Sequence, residues 1–590
     1  MRQVLVTKDV DYLVSDYLAP ITMAHLAQAR SKDASEGYVE DATTTLVPVL
    51  PEIYDRGIKV VTNAGALNPV GCAAALQAAA REAGSPLRVA AVEGDDLMPR
   101  LGEIMMARPR DTFTAELVPV DVSSINAHLG ARPIARALGA GADIVVTGRC
   151  ADAAVVLGPL MHEFGWRDDD YDLLAAGSLT GHIIKCGPQC TGGIHTDWDK
   201  VPGWGDVGYP VADVGPDGVA VISKPPGSGG LVSVGTVGEQ ILDEIGDPGA
   251  YALPDVICDW REVRLEQAGR DRVRVSGARG SAPATSYKVT ATYQDGYRAM
   301  TTAMFSGIEA GGRARRAGVA LVGRTEHFLA EDGFEPLTES SIEVIGAGDT
   351  FGPTARRDDA TEAVLKVGVQ HADKEALEIF AGEFAPLGLV AQGMTGVLAC
   401  HPEVTPVFSV FHLLIDKSST PVRVRLDGNT VPVAVAAGTA DPGLSTPALA
   451  DAPADGRSLG NVVEVPLKRL AWARSGDEGD KANIGVLARR REYAPLIYEQ
   501  LTVERVAAFF AHYRPAGVKR WQLPGLSAMN FLLDGVLGGS GGTSTLRYDP
   551  QGKSYAAMLL TVPIRVPADW DLDAMSNDAA PAVDEKAAVG

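Results

Sequence analysis

The sequence contains no run of about 18 consecutive apolar residues, so it predicts no membrane-spanning helix. Its first residues lack the basic, apolar and small-residue order of a secretion signal. Cysteine is scarce, with 6 residues in a chain of 590, which argues against a disulfide framework. These absences favour a cytoplasmic protein with reduced thiols.

Positive charge is in deficit, because 53 Lys and Arg residues face 75 Asp and Glu residues and leave a formal net charge of -22. A field of this sign repels nucleic acids and anionic membranes, so we expect neither as a partner. It leaves room for an anionic small molecule, since one pocket can be positive on a negative protein. The length exceeds what a single hydrophobic core supports, so several folding units are expected.

The order of apolar runs predicts an α/β protein. Up to residue 176, runs such as IKVVTNAG and ADIVVTGRC alternate with segments of helical length, which predicts a mostly parallel, Rossmann-like sheet. Residues 177–440 predict a loop-rich, mixed α+β part that includes a helix from Ala360 to Val367. The remaining pattern predicts a linker at 441–461, a small α+β domain at 462–566 and an acidic mobile tail at 567–590.

Polar residues follow the apolar runs of the first part. Ligands of parallel α/β sheets bind outside the carboxyl ends of the strands, so these residues are expected to converge on one crevice. They are Asp16, then Asn63 and Gly65, then Glu93, Asp95 and Asp96, and finally Thr147, Gly148 and Arg149. The alternative is that some of them only cap the helices that follow.

A glycine-rich loop, KPPGSGG, begins at Lys224 and precedes a predicted helix. Free N–H groups at the start of a helix suit phosphate or carboxylate, and Lys224 adds a cation. We therefore predict ligand contacts from Lys224, Gly227, Gly229 and Gly230. A tight turn beneath a helix is the alternative.

The segment GHIIKCGPQCTGGIHTDW, residues 181–198, groups residue types that bind metals or act as nucleophiles. The spacing of Cys186 and Cys190 misses the usual zinc pattern and no second ligand pair follows, so no metal is predicted. Cys186 activated by His182 or His195 is a catalytic alternative to a buried structural cysteine.

In the C-terminal part, RSGDEGDK at residues 474–481 places acidic groups on a glycine-rich turn. Acidic groups this close repel one another unless a cation or a ligand compensates, so Arg474 and Asp477 are candidate ligand-binding residues. The alternative is a solvated loop tied by Arg474 and Lys481. Asn530 is expected to approach the same turn.

These segments carry a family resemblance. DYLVSDYLAPITMAHLAQAR, GIKVVTNAGALNPVGCAAAL, VTGRCADAAVVLGPLMHEFGW and KPPGSGGLVSVGTVGEQILDEIGDP resemble the large domain of acyclic terpene utilisation protein A. ARSGDEGDKANIGVLARR and LPGLSAMNFLLDGVLGGSGGTSTLRYDPQGK are similar to its small ferredoxin-like domain. The resemblance implies a role in the breakdown of citronellol- or geraniol-type terpenes through CoA thioesters.

Two departures from the family pattern affect the expected site. The family usually begins with a Gly-rich strand and loop, whereas this sequence has a short Lys-containing lead, so part of the crevice wall is expected to be missing. The small-domain motif usually has the sequence SGDKGD, and Glu478 stands here in place of its lysine.

From the residues and the resemblance together we expect an enzyme acting on a branched or terpenoid acyl-CoA by hydration, dehydration or thioester cleavage. No further cofactor is predicted, and a homo-oligomer is expected. Backbone N–H groups near Gly65, Gly148 or Gly193 are expected to polarise the carbonyl. A non-catalytic scaffold subunit and a metal-dependent hydrolase are the alternatives. The candidate catalytic residues are Glu93, Asp95, Asp96, Arg149, Cys186 and His195, of which the three acids after residue 92 and His195 are candidate general bases.

Overall fold

The computed structural model describes residue 3 and residues 7–119, 121–355, 360–397, 401–439, 461–538 and 544–570. The predicted linker lies outside these ranges except for its last residue, as does the predicted tail beyond residue 570. Within the described ranges, no helix combines the length and the apolar character needed to cross a membrane.

Strands and helices alternate through the N-terminal part. Asn68 accepts a hydrogen bond from the Gly71 N–H where one helix begins, and Gly57 ends another in the left-handed conformation. The strands are β1 (Tyr12–Ser15), β2 (Lys59–Ala66), β3 (Val89–Glu93), β4 (Val122–Ala127) and β5 (Ile144–Gly148). The helices are α1 (Pro20–Lys32), α2 (Glu40–Leu46), α3 (Leu50–Arg56), α4 (Pro69–Glu82), α5 (Leu101–Met106), α6 (Arg132–Gly139), α7 (Ala154–Phe164) and α8 (Tyr171–Ile184).

The middle part is richer in strands. They are β6 (Val211–Val214), β7 (Ala220–Ser223), β8 (Tyr251–Ala252), β9 (Ile257–Asp259), β10 (Arg264–Gly269), β11 (Arg272–Ser276), β12 (Arg279–Ser281), β13 (Ser286–Ser306), β14 (Glu339–Ile345), β15 (Glu362–His371), β16 (Met394–Val397), β17 (Val404–Asp416), β18 (Arg423–Leu426) and β19 (Asn429–Pro432). The helices are α9 (Val234–Ile241), α10 (Ala310–Asp332) and α11 (Lys374–Leu387).

The first sheet has the strand order β1-β2-β5-β3-β18-β19. Its first four strands pair in parallel, and β18 and β19 add an antiparallel edge. Both faces of the parallel strands are covered: Val60 and Ile144 pack toward α4, while Val61 and Val145 pack toward α6 and α7. Burial on both faces explains the continuous apolar runs of these strands.

The second large sheet is antiparallel and is built around β13, which pairs with β15, β16, β17 and β4. A mostly parallel, Rossmann-like N-terminal half is therefore wrong as a prediction. The physical reason lies in β4, where polar Ser124 and Asn126 alternate with apolar Ile125 and Ala127. A strand with one polar and one apolar face belongs in an antiparallel sheet rather than between two helical layers. The helix predicted from residue 360 is also wrong, because β15 occupies that segment.

The C-terminal segment, residues 461–570, has its own core and is referred to below as the C-terminal domain. Its four-stranded sheet has the antiparallel order β21-β22-β24-β23, and β20 pairs with β25. Phe510, Phe531 and Tyr555 are fully buried between this sheet and the helices. The strands are β20 (Val462–Pro466), β21 (Ala471–Glu478), β22 (Lys481–Ala488), β23 (Gly517–Leu523), β24 (Ala528–Asp534) and β25 (Pro563–Pro567), and the helices are α12 (Ala494–Gln500), α13 (Val503–Phe509) and α14 (Tyr555–Leu559).

Candidate functional site

The carboxyl ends of β1, β2 and β5 form a polar crevice, which we call the strand-end crevice. The Asn63 amide donates a hydrogen bond to Asp16, and the Arg149 guanidinium donates one to the Leu18 carbonyl at 2.7 Å. Burial and the nearby Asp152 carboxylate raise the pKa of Asp16 to about 6. Asp16 and Asn63 therefore bind each other, and Arg149, whose charge acts on Asp16, binds the neighbouring backbone.

Two of the acidic residues at the end of β3 are paired elsewhere. Glu93 lies 3.1 Å from Arg425 across the antiparallel edge of the first sheet, and Asp96 lies 3.0 Å from Arg30 of α1. These ion pairs are partly exposed, so each contributes little to stability. Neither carboxylate lines the cavity described below.

Asp95 has a structural environment. It is buried, and its carboxylate accepts hydrogen bonds from the Asn126 amide at 2.9 Å and from the Arg149 N–H at 2.8 Å. Burial outweighs these hydrogen bonds and raises the pKa of Asp95 to about 7. Gly148 is required beside it, because a Cβ atom there would lie 2.3 Å from the Asp95 carboxylate. The pair joins the parallel strands to β4.

The polar face of the antiparallel sheet forms the opposite side of the crevice. His128 Nε2 lies 2.9 Å from Thr290 Oγ1, which lies 3.4 Å from His412 Nδ1. Burial lowers the pKa of both histidines, that of His412 to about 3, so the imidazoles are neutral. The exposed Lys288 ammonium has no ion-pair partner among the residues that the structure describes.

The turn between β21 and β22 brings the C-terminal domain into contact with the crevice. Burial raises the pKa of Glu478 to about 7 against the opposing charge of Lys288. Burial, assisted by Glu244, raises the pKa of Asp477 to about 6. The predicted ligand-binding residue Asp477 therefore lies in the interface between the two parts of the protein.

A row of alternating charges connects the crevice with the C-terminal domain. Lys185 lies 3.2 Å from Asp152 and 3.1 Å from Glu244. At the far end, Arg474 and Asp243 pair at 3.0 Å with side chains only 4% and 0% exposed, so this pair is a buried one. The members in order are Asp152, Lys185, Glu244, Lys553, Asp243 and Arg474.

Cys186 lies beside this row. Its sulfur and the carboxylate oxygens of Asp243 and Glu244 lie within 4.8 Å of one another, which is a spacing that a metal ion could bridge. Arg474 and two lysines already neutralise both carboxylates, so the cluster is an ion-pair network. Burial raises the pKa of Cys186 to about 11, which keeps the thiol protonated and a poor nucleophile.

Asn530 supports the domain contact. Its amide donates hydrogen bonds to the carbonyl groups of Ile245 and Gly246, both at 2.8 Å, and its Oδ1 accepts one from Asn483 at 3.1 Å. All of these groups lie where β22 and β24 meet the chain that follows α9. The predicted ligand-binding role of Asn530 is thus replaced in this structure by a packing contact.

The glycine-rich loop after Lys224 is closed on itself. The Lys224 ammonium donates to the Ser228 carbonyl at 2.8 Å, and Gly227 turns the loop with φ of 79°. The N–H groups of Gly229 and Gly230 donate to carbonyl groups of the preceding segment, at 2.7 Å in both cases. These N–H groups are therefore already used, and none of the loop lines the cavity described below.

Other predicted glycines serve close packing. A Cβ atom at Gly65 would lie 2.6 Å from the Thr147 carbonyl oxygen, and the Thr147 hydroxyl donates to the next carbonyl at 2.9 Å. The Gly193 N–H donates to the Pro188 carbonyl at 2.8 Å within its own turn. These contacts fix backbone approach rather than bind a ligand.

A cavity of about 630 Å³ lies between the segment around His195 and the C-terminal domain, and we call it the interdomain cavity. Its volume falls in the range typical of small-molecule sites. Both parts of the protein contribute apolar and polar side chains to its lining, and the charged ones include the acid Glu464 as well as cations. The apolar residues include Ile194, Trp198, Val465, Ala556, Ala557, Leu560 and Pro563, and the polar ones include His195, Lys468, Arg474, Ser475 and Lys553.

His195 is held on one side only. Its Nδ1–H donates to the Glu239 carboxylate at 2.8 Å, and the two side chains are 3% and 2% exposed. The same carboxylate accepts the Thr196 N–H at 3.1 Å, which fixes its orientation. No described residue hydrogen-bonds His195 Nε2, so a ring that lines the cavity keeps one nitrogen free.

The segment that carries His195 is fastened to the C-terminal domain. Thr196 Oγ1 bonds both the N–H and the carbonyl of Ala473 at 3.1 Å. Asp197 receives two hydrogen bonds of 2.6 Å from Arg489 and one of 3.0 Å from the Trp472 indole. Burial alone would raise the pKa of Asp197, but Arg489 outweighs it and holds the pKa well below its ordinary value. We call these contacts the domain clamp.

Two family models match this chain. The model described as acyclic terpene utilisation family protein AtuA matches residues 1–426, and the AtuA ferredoxin-like domain matches residues 465–565. The chain belongs to the AtuA family. The AtuA description concerns the utilisation of acyclic terpenes, in agreement with the resemblance seen in the sequence. No curated protein matches, and no solved structure does.

In this AtuA chain, sequence reasoning found His195 but missed the group that orients it. Glu239 is a single acid within VGTVGEQI, a helix otherwise made of small, apolar and amide residues, and that isolation was the available signal. Lys288 and His412 were missed because they lie on neighbouring strands far apart in sequence.

Proposed function

We propose that this chain is an enzyme of acyclic terpene catabolism that adds water to, or hydrolyses, a terpenoid or branched acyl-CoA in the interdomain cavity. The observation that carries the proposal is the His195 imidazole on the wall of a cavity of suitable volume, fixed by Glu239 at one nitrogen and without a hydrogen-bond partner at the other among the residues that the structure describes.

His195 is the general base in this proposal. Glu239 accepts the Nδ1 proton, so the lone pair is on Nε2 and can take a proton from a water molecule. The carboxylate also stabilises the imidazolium that forms. The sequence offers four candidate bases. Glu93 and Asp96 are ion-paired, and Asp95 is buried and lies away from the cavity, so His195 is the remaining candidate.

The cationic groups of the cavity suit the carbonyl oxygen and the phosphates of a CoA thioester. Arg474 is held in place by Asp243, so its guanidinium is a fixed positive charge for an oxygen that becomes negative in the transition state. Lys468 is exposed at the cavity and has no ion-pair partner within the described part of the chain, which suits a phosphate of CoA.

Thioester hydrolysis illustrates the steps. Water loses a proton to His195 Nε2 as its oxygen bonds to the carbonyl carbon, and the carbonyl oxygen takes the negative charge beside Arg474. The C–S bond then breaks, and the proton on His195 passes to the departing sulfur, giving a carboxylic acid and the CoA thiol. In hydration of a conjugated thioester, the water oxygen bonds instead to the β-carbon as His195 takes the proton, and the π electrons move toward the carbonyl oxygen. The proton on His195 then passes to the α-carbon.

The test is incubation of the purified chain with geranyl-CoA and with a 3-hydroxyacyl-CoA, followed by mass spectrometry. We expect either a thioester differing by one water or an acid with free CoA, formed about 1000-fold more slowly by the His195→Gln variant. Binding without turnover by the intact protein would favour the scaffold alternative. If the intact protein neither binds nor converts any of these thioesters, the proposal is overturned.

A further inference from the structure

We propose that Ile194, Trp198 and Trp204 form an apolar collar that binds the hydrocarbon chain of the acyl substrate at the mouth of the interdomain cavity. This inference rests on the proposed function, since it assigns the chain end of the same substrate. It also adds something that function alone does not require, namely a preference for long chains over short ones.

The collar is exposed and continuous with the cavity. Ile194, Trp198 and Trp204 are 57%, 58% and 64% exposed, and grouped exposed apolar side chains, unlike scattered ones, indicate a binding surface. Ile194 and Trp198 line the cavity directly, and the rings of Trp198 and Trp204 lie 6.0 Å apart. An apolar patch at the rim of a ligand-sized cavity has an evident use as part of the binding surface.

The backbone of Ile194 is strained in a way that builds this arrangement. Its φ is 50°, in the left-handed region that β-branched residues rarely adopt. The Ile194 side chain is exposed at this position, while the next residue, His195, is only 5% exposed. The hydrogen bonds between Thr196 and Ala473 hold this conformation. One turn of the chain therefore supplies both the Ile194 side chain of the collar and the base His195.

The shape of the collar favours a flexible chain over a flat ring. The two indole planes meet at 76°, so they form a corner rather than a parallel-sided slot. A nucleobase binds best by stacking on a parallel ring, whereas a branched hydrocarbon fills a corner. Leu560 and Ala557 continue the apolar surface along the facing wall of the cavity.

Calorimetric titration tests the collar. Wild type, Trp198→Ala, Trp204→Ala and the control Tyr54→Ala, an exposed aromatic residue on α3, are titrated with geranyl-CoA, acetyl-CoA and free CoA. We expect wild type and the control to bind geranyl-CoA at least tenfold more tightly than acetyl-CoA. Trp198→Ala should lose most of this preference and Trp204→Ala part of it, with acetyl-CoA affinity unchanged and circular dichroism as for wild type.

Two results would overturn the collar: equal wild-type affinity for the two thioesters, or indole variants that weaken free CoA as much as geranyl-CoA, which would mean stacking on adenine. The outcomes also separate the two proposals. If Trp198→Ala loses the chain-length preference but the protein turns over no thioester, the proposed enzyme activity is wrong and the collar stands. If the protein turns over a thioester but shows no chain-length preference, the collar is wrong and the enzyme proposal stands. If it binds none of these ligands, both proposals are wrong.

Discussion

The strand-end crevice and the interdomain cavity hold similar residue types in different states. In the crevice, Asp16 and Asn63 bind each other, and Arg149 binds the local backbone. In the cavity, the buried His195–Glu239 pair leaves one ring nitrogen free beside about 630 Å³ of space. The difference shows that a dense polar cluster can hold structural elements together as readily as it can bind a ligand. A fixed group with one unused hydrogen-bonding atom is the better sign of chemistry.

The largest expected effect separates the two regions by chemistry. His195→Gln removes the proposed base, so we expect kcat for the active thioester to fall by about 1000-fold. Asp96→Asn, in the ion pair beside the crevice, should change kcat by less than about threefold. Steady-state kinetics on both variants measures this. The reverse order of effects would move the chemistry into the crevice.

Stability should show the same contrast. Arg474→Met leaves the fully buried Asp243 with only Lys553 at 3.7 Å, so we expect the free energy of unfolding to fall by about 3 kcal/mol. Arg30→Met breaks the partly exposed pair with Asp96, for which about 0.5 kcal/mol is expected. Urea unfolding followed by circular dichroism compares them. Equal losses would show that the row of charges near the cavity is no more critical than a surface pair.

Glu239 is expected to act through His195 without touching substrate. Glu239→Gln keeps the size of the side chain but removes its charge, so kcat should fall by about 100-fold while KM stays within about twofold. Glu93→Gln, an acid of the crevice edge, is the matched control and should change neither constant. A rise in KM at constant kcat would assign Glu239 to substrate binding.

The smallest effect concerns pH and the crevice. Burial raises the pKa of Glu478 to about 7, whereas an unfolded glutamate titrates near 4.5, so the folded state keeps this proton to higher pH. Folding is therefore favoured below about pH 4.5 by this group, and the contribution is lost as pH rises through about 7. Glu478→Gln should remove a stability difference on the order of 2 kcal/mol between pH 4.5 and 8, measured by urea unfolding. An unchanged pH dependence would contradict it.

Part of the fold was predictable because its rules are local. The continuous apolar run of β2 and the helices around it follow from burial on both faces. The first half of β15, EAVLK, is rich in helix-forming residues, yet it forms a strand because β13 and β14 pair with β15 on both sides. The sheet to which β4 belongs depends on its pairing with β13, more than 150 residues later in the chain, and no local sequence pattern contains that information.

The candidate site divides in the same way. His195 was found because it lies in a segment already conspicuous for its composition. Its partner Glu239 and the facing residues of the C-terminal domain depend on how two parts of the chain dock. Likewise Thr290 and His412 are neighbours only through the register of β13 and β17. Sequence patterns supply the residue types, and docking decides which of them remain free for chemistry.

The domain clamp joins two parts of one continuous chain, and this affects how the interdomain cavity responds to dilution of the protein. Asp197 and Arg489 lie 292 residues apart, yet one continuous chain fixes their effective concentration, so the cavity persists however dilute the protein becomes. Two fragments divided between residues 440 and 460 would have to find each other, and their reaction would become second order in protein. The protein concentration at which half of such fragments associate would then report the strength of the clamp.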